Sequence, residues 1–205
     1  MITFFDVGAH NGSDSIPLAI ANPSVQFYAF EPNPYMVEVI KSQTANLKNY
    51  TIIQKAVSDF NGTANFNISK YGPTGVSSLL EFSKTARINW SGFFLSNDEK
   101  IDVEVIRLDT FIEENNIKNI NYLHVDTQGS DLNVLKGLGK YLVNVNEGQV
   151  EAAVRPESLY VNQNTYQDTM KFLVDNGFEI LSIKSEGGQR ECNIMFKKST
   201  LSFSI

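Results

Sequence analysis

The stretch ITFFDVGAHNGSDS, residues 2–15, decides the fold. Residues 2–7 read as an apolar strand that carries an acid, Asp6, close to its end. Gly8 and Gly12 follow, and the pattern predicts a helix over 14–21. Glycine takes positive φ and lets another backbone or a ligand come close. The helix N-terminus offers free N–H groups, to which Ser13 and Ser15 add hydroxyls, and such donors suit a carboxylate as well as a phosphate. A strand, a glycine turn and a helix in this order open a nucleotide-binding α/β unit.

The same alternation continues outward. Strands are expected over 25–30, 50–57, 122–126, 149–154, 178–184 and 193–197, with helices over 35–45, 108–114, 131–138 and 166–176. Residues 63–69 and 101–107 read as added strands. Apolar strands alternating with helical patterns predict a mostly parallel α/β sheet of about seven strands with helices on both faces. Gly187-Gly188 reads as a hairpin turn that makes the last strand antiparallel. Residues 70–100 are irregular, with Gly72, Pro73, Gly75, Trp90, Gly92, Phe93 and Phe94, and stretches of that kind are usually functional or mobile.

Ligands of doubly wound sheets sit outside the carboxyl ends of the strands. Glu31, in FEPNP (30–34), ends the second strand 25 residues after Asp6. An acid at that place accepts hydrogen bonds from ribose hydroxyls. The three-glycine dinucleotide spacing is broken, because His10 holds the middle place, so a pyrophosphate cofactor such as NAD is disfavoured. Asp6 at the strand end suits a positively charged ligand, an amino acid moiety or a sulfonium. Asp126 ends the fourth strand in LHVDTQGSDLNVLKG (123–137), with Ser130 or Asp131 as N-cap of the next helix.

The chain has 17 basic and 23 acidic residues and a net charge of −6, which gives it no general attraction for nucleic acid or an anionic membrane. No apolar run approaches the roughly 20 residues of a spanning helix, and the N-terminus shows no secretion signal. The single cysteine, Cys192, lies in an apolar stretch and reads as a buried thiol. A reducing, cytoplasmic compartment follows as the expectation.

FFDVGAHNGSDS, FEPNP, AVSDFNG, GVSSL, VIRLDTF and LHVDTQGSDLNVLKG, with GFE and CNIMF near the end, together resemble the FkbM family of S-adenosylmethionine-dependent methyltransferases. The resemblance implies a Rossmann-like class I methyltransferase fold, S-adenosylmethionine as methyl donor with S-adenosylhomocysteine as product, and O-methylation, often of sugar or glycan hydroxyls. Onto this sequence it puts Asp6, Gly8, Ala9, His10, Asn11, Gly12 and Ser15 around the methionine part of the cofactor. Glu31 and Pro32 would meet the ribose, Val57 and Ser58 the adenine, and Asp126 the reacting methyl. The family often reads Asp-x-Glu-Gly after the fourth strand, whereas Gln128 takes the acidic place here. Related enzymes often carry helices before the first strand. The expectation is therefore a single domain over 1–205, one that could be cut from a longer protein, with 70–100 as an insertion on the substrate side.

Asp126 is the expected base for the acceptor hydroxyl, with capping of the next helix as the competing role. His10 is a second candidate base. His124 shares a strand face with Asp126 and reads as a satisfied core histidine. Gln128, Glu151, Arg155, Glu157, Tyr160 and Trp90 are candidate substrate contacts, with surface ion pairing or core packing as the alternatives. Asp126, Asp131 and Glu151 could converge on a divalent cation, but no tight ligand motif supports a metal. Other readings of the whole are a catalytically degenerate binding module and an NAD-dependent oxidoreductase. Nitrogen methylation is disfavoured by the absence of an Asn/Asp-Pro-Pro-Tyr/Phe signature at residues 126–129. The sequence assigns no oligomeric state.

Overall fold

The computed structural model describes residues 2–71, 73–91, 94–186 and 190–199. The first strand, β1 (Ile2–Val7), leads through the glycine turn to α1 (Ile16–Ala21). The chain continues as β2 (Val25–Phe30), α2 (Pro34–Thr44), β3 (Tyr50–Ile53), β4 (Ala56–Val57) and β5 (Gly62–Ile68). After α3 (Ala86–Asn89) come β6 (Glu99–Ile106), α4 (Leu108–Glu114), β7 (Ile120–Val125) and α5 (Asp131–Gly137). It ends with β8 (Val145–Ala153), α6 (Tyr166–Asp175), β9 (Phe178–Glu186) and β10 (Glu191–Lys198).

Seven strands form the main sheet in the order β3-β2-β1-β7-β8-β10-β9. Pairing is parallel from β3 to β8, and β10 runs antiparallel to both β8 and β9. The expected seven-stranded sheet with an antiparallel last strand is what the chain forms. The expected Gly187-Gly188 hairpin lies outside the described residues.

Alternation along the strands sorts side chains to two faces. Phe5, Val7, Leu123, Val125 and Val150 pack with Leu108, Phe111, Leu132, Leu135 and Leu173 of α4, α5 and α6. Phe27 and Ala29 pack with Ile16, Ala19 and Ile40 of α1 and α2 on the other face. Helices therefore lie on both faces, as the sequence predicts. Fully burying one such side chain contributes roughly 1.5–3 kcal/mol.

One expectation needs correction. The strand read as 50–57 is two strands. Lys55 N–H donates to Ile53 O at 2.9 Å, a tight turn that re-aims the chain. It sends β4 away from the main sheet to pair with β6. The added strands β5 and β6 pair antiparallel with each other, so β4-β6-β5 is a separate three-stranded sheet. Its apolar face, Ala56, Phe66, Ile68, Val103 and Val105, is a core of its own. Within residues 70–98 the described part holds only a 3-10 turn, Thr74–Val76, and α3. No helix among the described residues is long and apolar enough to cross a membrane.

Candidate active site

One cleft opens at the carboxyl ends of β1, β2 and β7. Gly8 and His10 form one wall with Glu31 and Pro32, and Asp126 and Gln128 stand at one end. Val57 and Phe66 of the small sheet line it from below, and Thr74 and Ser77 from the irregular segment. The turn can be this close to β7 only because residue 8 is glycine. It has φ +90°, and a Cβ there would lie 1.8 Å from the Asp126 carbonyl oxygen. His10 also has positive φ, 49°, a conformation that costs a side-chain-bearing residue energy. Its N–H is aimed by this at Glu31 Oε2, 2.7 Å away.

Glu31 receives a second N–H, from Asn33 to Oε1 at 2.7 Å. It is 5% exposed, and burial raises its carboxyl to about 8 against those two bonds, with the charges of Asp6 and Asp126 adding to the rise. The ring of His10 shares a 2.9 Å hydrogen bond between Nε2 and Thr74 Oγ1. Burial holds that imidazole below its ordinary value, against the charges of Asp126 and Asp14. His10 is thus a neutral link from the cofactor turn to the irregular segment.

Other residues of the turn lie behind the cleft. Asp6 is 1% exposed; its oxygens take the Ser15 hydroxyl and His124 Nδ1, the latter at 2.9 Å. Ser15 continues to the Tyr50 hydroxyl at 2.7 Å. Asp6 and Ser15 therefore brace the turn from beneath. Ala9 is buried among Ile16, Phe27 and Ile40. Asn11 Oδ1 accepts from Ser13 N at 3.0 Å, and Gly12 N donates to Ala9 O at 2.7 Å. Val57 faces the cleft. Ser58 does not; its carbonyl oxygen would be 2.3 Å from a Cβ on Gly137, which places it against α5.

At the other end, Asp126 Oδ1 accepts from Gln128 Nε2 at 2.8 Å. Asp126 does not cap α5. That loop is tied by Asp131, whose Oδ1 accepts from Thr127 N and Oγ1 at 2.6 and 2.9 Å and whose Oδ2 accepts from Gly129 N at 3.1 Å. Burial, with the charge of Asp126, lifts Asp131 to about 7. Asp126, Asp131 and Glu151 do not converge on an open centre. The Asp131 oxygens are committed to the loop, and Asp126 and Glu151 bond each other and share the Gln128 amide. No group of three metal-capable side chains occurs among the described residues, so this donor set fits no cation.

Glu151 does not line the cleft; its carboxyl meets Asp126 and Gln128, whose Nε2 lies 3.0 Å from Glu151 Oε2. Arg155 is exposed on the following loop and does not line the cleft. Trp90 is not there either. It is 6% exposed and packs with Ala86, Leu95, Leu159 and Tyr160, under the Arg190 guanidinium at 5.1 Å. Its apolar surface is spent on that cluster, so it offers no face to a sugar. Phe94 is exposed, and Gly72, Gly92 and Phe93 lie outside the described residues.

Sequence reasoning missed Phe66, Thr74 and Leu79 as lining residues. Tyr160, expected to meet substrate, is buried, its hydroxyl 2.9 Å from Gln128 Oε1. The GVSSL motif marked the right segment without its role. Ser77 lines the cleft, and Ser78 Oγ donates to Gln128 O at 2.7 Å.

The sequence model of the methyltransferase FkbM domain matches residues 6–180. A 2-O-methyltransferase of Sinorhizobium fredii, NoeI, is 28% identical over 138 residues, covering 64% of this chain and 55% of that protein. The chain thus spans about half of that relative's length. Among solved structures, an rRNA methylase from Streptococcus thermophilus aligns with TM-score 0.52 at 10% identity, over 97% of this chain and 87% of that one. TrmK of M. capricolum, solved with S-adenosylhomocysteine, aligns with TM-score 0.51 at 13% identity, over 100% and 65%. At such identities these likenesses speak for the fold alone, which is that of the methyltransferases.

Proposed function

Because the chain belongs to the FkbM methyltransferase family, we propose that it is an S-adenosylmethionine-dependent O-methyltransferase acting on a hydroxyl of a sugar or glycan. The observation that carries this reading is that Glu31 and Asp126, from the ends of β2 and β7, face one cleft on either side of the Gly8 turn. The residues present fit the cofactor. Glu31 keeps lone pairs for ribose hydroxyls beyond its two N–H bonds. Ala56, Val57, Phe66 and Leu79 offer an apolar seat for a flat base. Gly8, lacking a Cβ, leaves the methionine end room beside Asp126.

When bound, S-adenosylmethionine supplies a methyl on a sulfonium, which an acceptor oxygen takes in line while the C–S electron pair stays on sulfur. The chain's part is to position the reactants and to take the proton. Asp126 is the base, its carboxyl facing the cleft where β7 ends. His10, neutral and bonded to Thr74, holds the irregular segment across the site. The relative named as a 2-O-methyltransferase supports oxygen as the acceptor atom. The net charge of −6 supports a small or neutral acceptor over nucleic acid.

Calorimetric titration with S-adenosylhomocysteine, with NAD as control, tests the cofactor. Saturable binding of the first alone is expected, weakened at least about tenfold in Glu31→Ala, which removes hydrogen bonds to a charged group. Binding of NAD instead would make the chain an oxidoreductase, and binding of neither would make it a degenerate module. Transfer of labelled methyl to methyl glycosides then tests the acceptor. Asp126→Asn is expected to slow that transfer by about 100-fold or more while S-adenosylhomocysteine still binds.

A further inference from the structure

Gln128 has φ 56°, a left-handed conformation uncommon for a residue with a side chain. Its hydrogen bonds show what holds it there. Ser78 Oγ donates to its carbonyl oxygen at 2.7 Å. Its amide nitrogen donates to Asp126 Oδ1 at 2.8 Å and to Glu151 Oε2 at 3.0 Å, which uses both amide hydrogens. Its amide oxygen lies 2.9 Å from the Tyr160 hydroxyl, itself 2.8 Å from Val76 O. Tyr160 is 1% and Glu151 6% exposed. Both are sealed behind Gln128, while Asp126 and Gln128 line the cleft.

Two neighbouring carboxyls resist ionising together. Burial, then the charge of Asp126, then those of Glu191 on β10 and Asp131 on α5, push Glu151 well above its ordinary value. Burial also raises the Tyr160 phenol far above its own, so it remains a neutral donor. A neutral amide can join such a pair without a cation. A glutamate at 128 would supply neither donor and would add a third acid.

We infer that Gln128 and Glu151 are positioning residues for the transfer step: the amide bridge ties the sealed Glu151 carboxyl to Asp126 and holds the Asp126 carboxylate toward the cleft. This rests on the reading of Asp126 as the base. The Glu151 carboxyl answers to the charge of Asp126 beside it. The N–H donors favour the ionised carboxylate, so losing the bridge raises the Glu151 midpoint further, by about one pH unit or more.

The test is a pH titration of protein with 13C-labelled Asp and Glu carboxyls, followed by NMR. Wild type, Gln128→Met and Gln128→Glu are compared, each checked for folding by its thermal melt. In both variants the Glu151 midpoint is expected to rise by about one unit or more. The acid limb of the pH–rate profile for methyl transfer to a methyl glycoside should rise with it. Should Gln128→Met fail to fold, Gln128→Glu alone still carries the comparison. Midpoints that stay put in the folded variants overturn the inference. If wild type fails to bind S-adenosylhomocysteine or to methylate, the methyltransferase reading falls instead, and the carboxyl titration still reports on the bridge.

Discussion

Glu31 turns a feature of one residue into a measurable linkage. Its carboxyl stands at about 8 because burial outweighs the N–H bonds from Asn33 and His10, so below that pH the empty protein keeps a proton there. Ribose hydroxyls donate best to the ionised form, so ligand binding must expel the proton. The affinity for S-adenosylhomocysteine is therefore expected to climb with pH, by up to about tenfold per unit, and to level off above about pH 8. Calorimetry in buffers of different ionisation enthalpy should show up to about one proton released per ligand at pH 7. An affinity that is flat from about pH 6 to 8 would refute the linkage. The role of Glu31 was legible because it depends on place, an acid where the second strand ends. Thr74 and Phe66 were not, because they reach the cleft through pairings of an irregular segment and a second sheet. Gln128 and Tyr160 were read as substrate contacts; that the two meet each other, 32 residues apart in the chain, carried no local signal.

At the scale of elements, β1 and β7 meet where residue 8 lacks a side chain. In Gly8→Ala the new Cβ would meet backbone, the Asp126 carbonyl at 1.8 Å, in a strained φ. Neither backbone can yield without parting the strand ends. The substitution is expected to cost about 2–5 kcal/mol in chemical denaturation and to abolish ligand binding. The capping box of α6 gives the contrast: Thr165 Oγ1 accepts from Asp168 N, and Asp168 accepts from Thr165 N at 2.9 Å. Thr165→Ala is expected to cost about 1 kcal/mol and to lower Tm by about 2–4 °C, with ligand binding intact. Equal losses of binding in the two variants would mean that Gly8 acts through stability alone. Helices and strands with strong periodicity were read nearly to their ends. The break between β3 and β4 was not, since Gln54-Lys55 carries no glycine or proline to mark the Ile53–Lys55 turn.

For the molecule as a whole, the main sheet was legible because strands alternating with helices leave few ways to wind. The three-stranded sheet was not, because β5 and β6 are separated by an irregular stretch whose path no local pattern dictates. The assembled sheet also sets how stability answers to pH. His124, between β1 and β8, bonds Asp6 at 2.9 Å and lies 3.4 Å from the Gln149 amide. Burial alone would lower its ionisation, but the bond to Asp6 and the charges of Asp6, Asp126 and Asp14 lift it above its ordinary 6.5. That contribution is whole below pH 6.5 and is lost as pH rises through the folded value. Glu31 at about 8 and Asp131 at about 7, together with the raised Glu151, act with the same sign: the folded state holds protons that the unfolded chain has released, so stability falls as pH rises. The surface acids Asp98, Glu99, Asp109, Glu113 and Asp168 are lowered, and their contributions are lost only in acid, as pH falls through their folded values. Stability should therefore peak at about pH 4–5 and decline toward about pH 9, with a shallower decline above about pH 6.5 in His124→Gln. Because the ligand draws Glu31 into its ionised form, S-adenosylhomocysteine should raise Tm more at pH 8 than at about pH 6. Thermal melts across this range decide it, and a Tm that keeps rising to about pH 9 would show that the buried acids ionise freely in the fold.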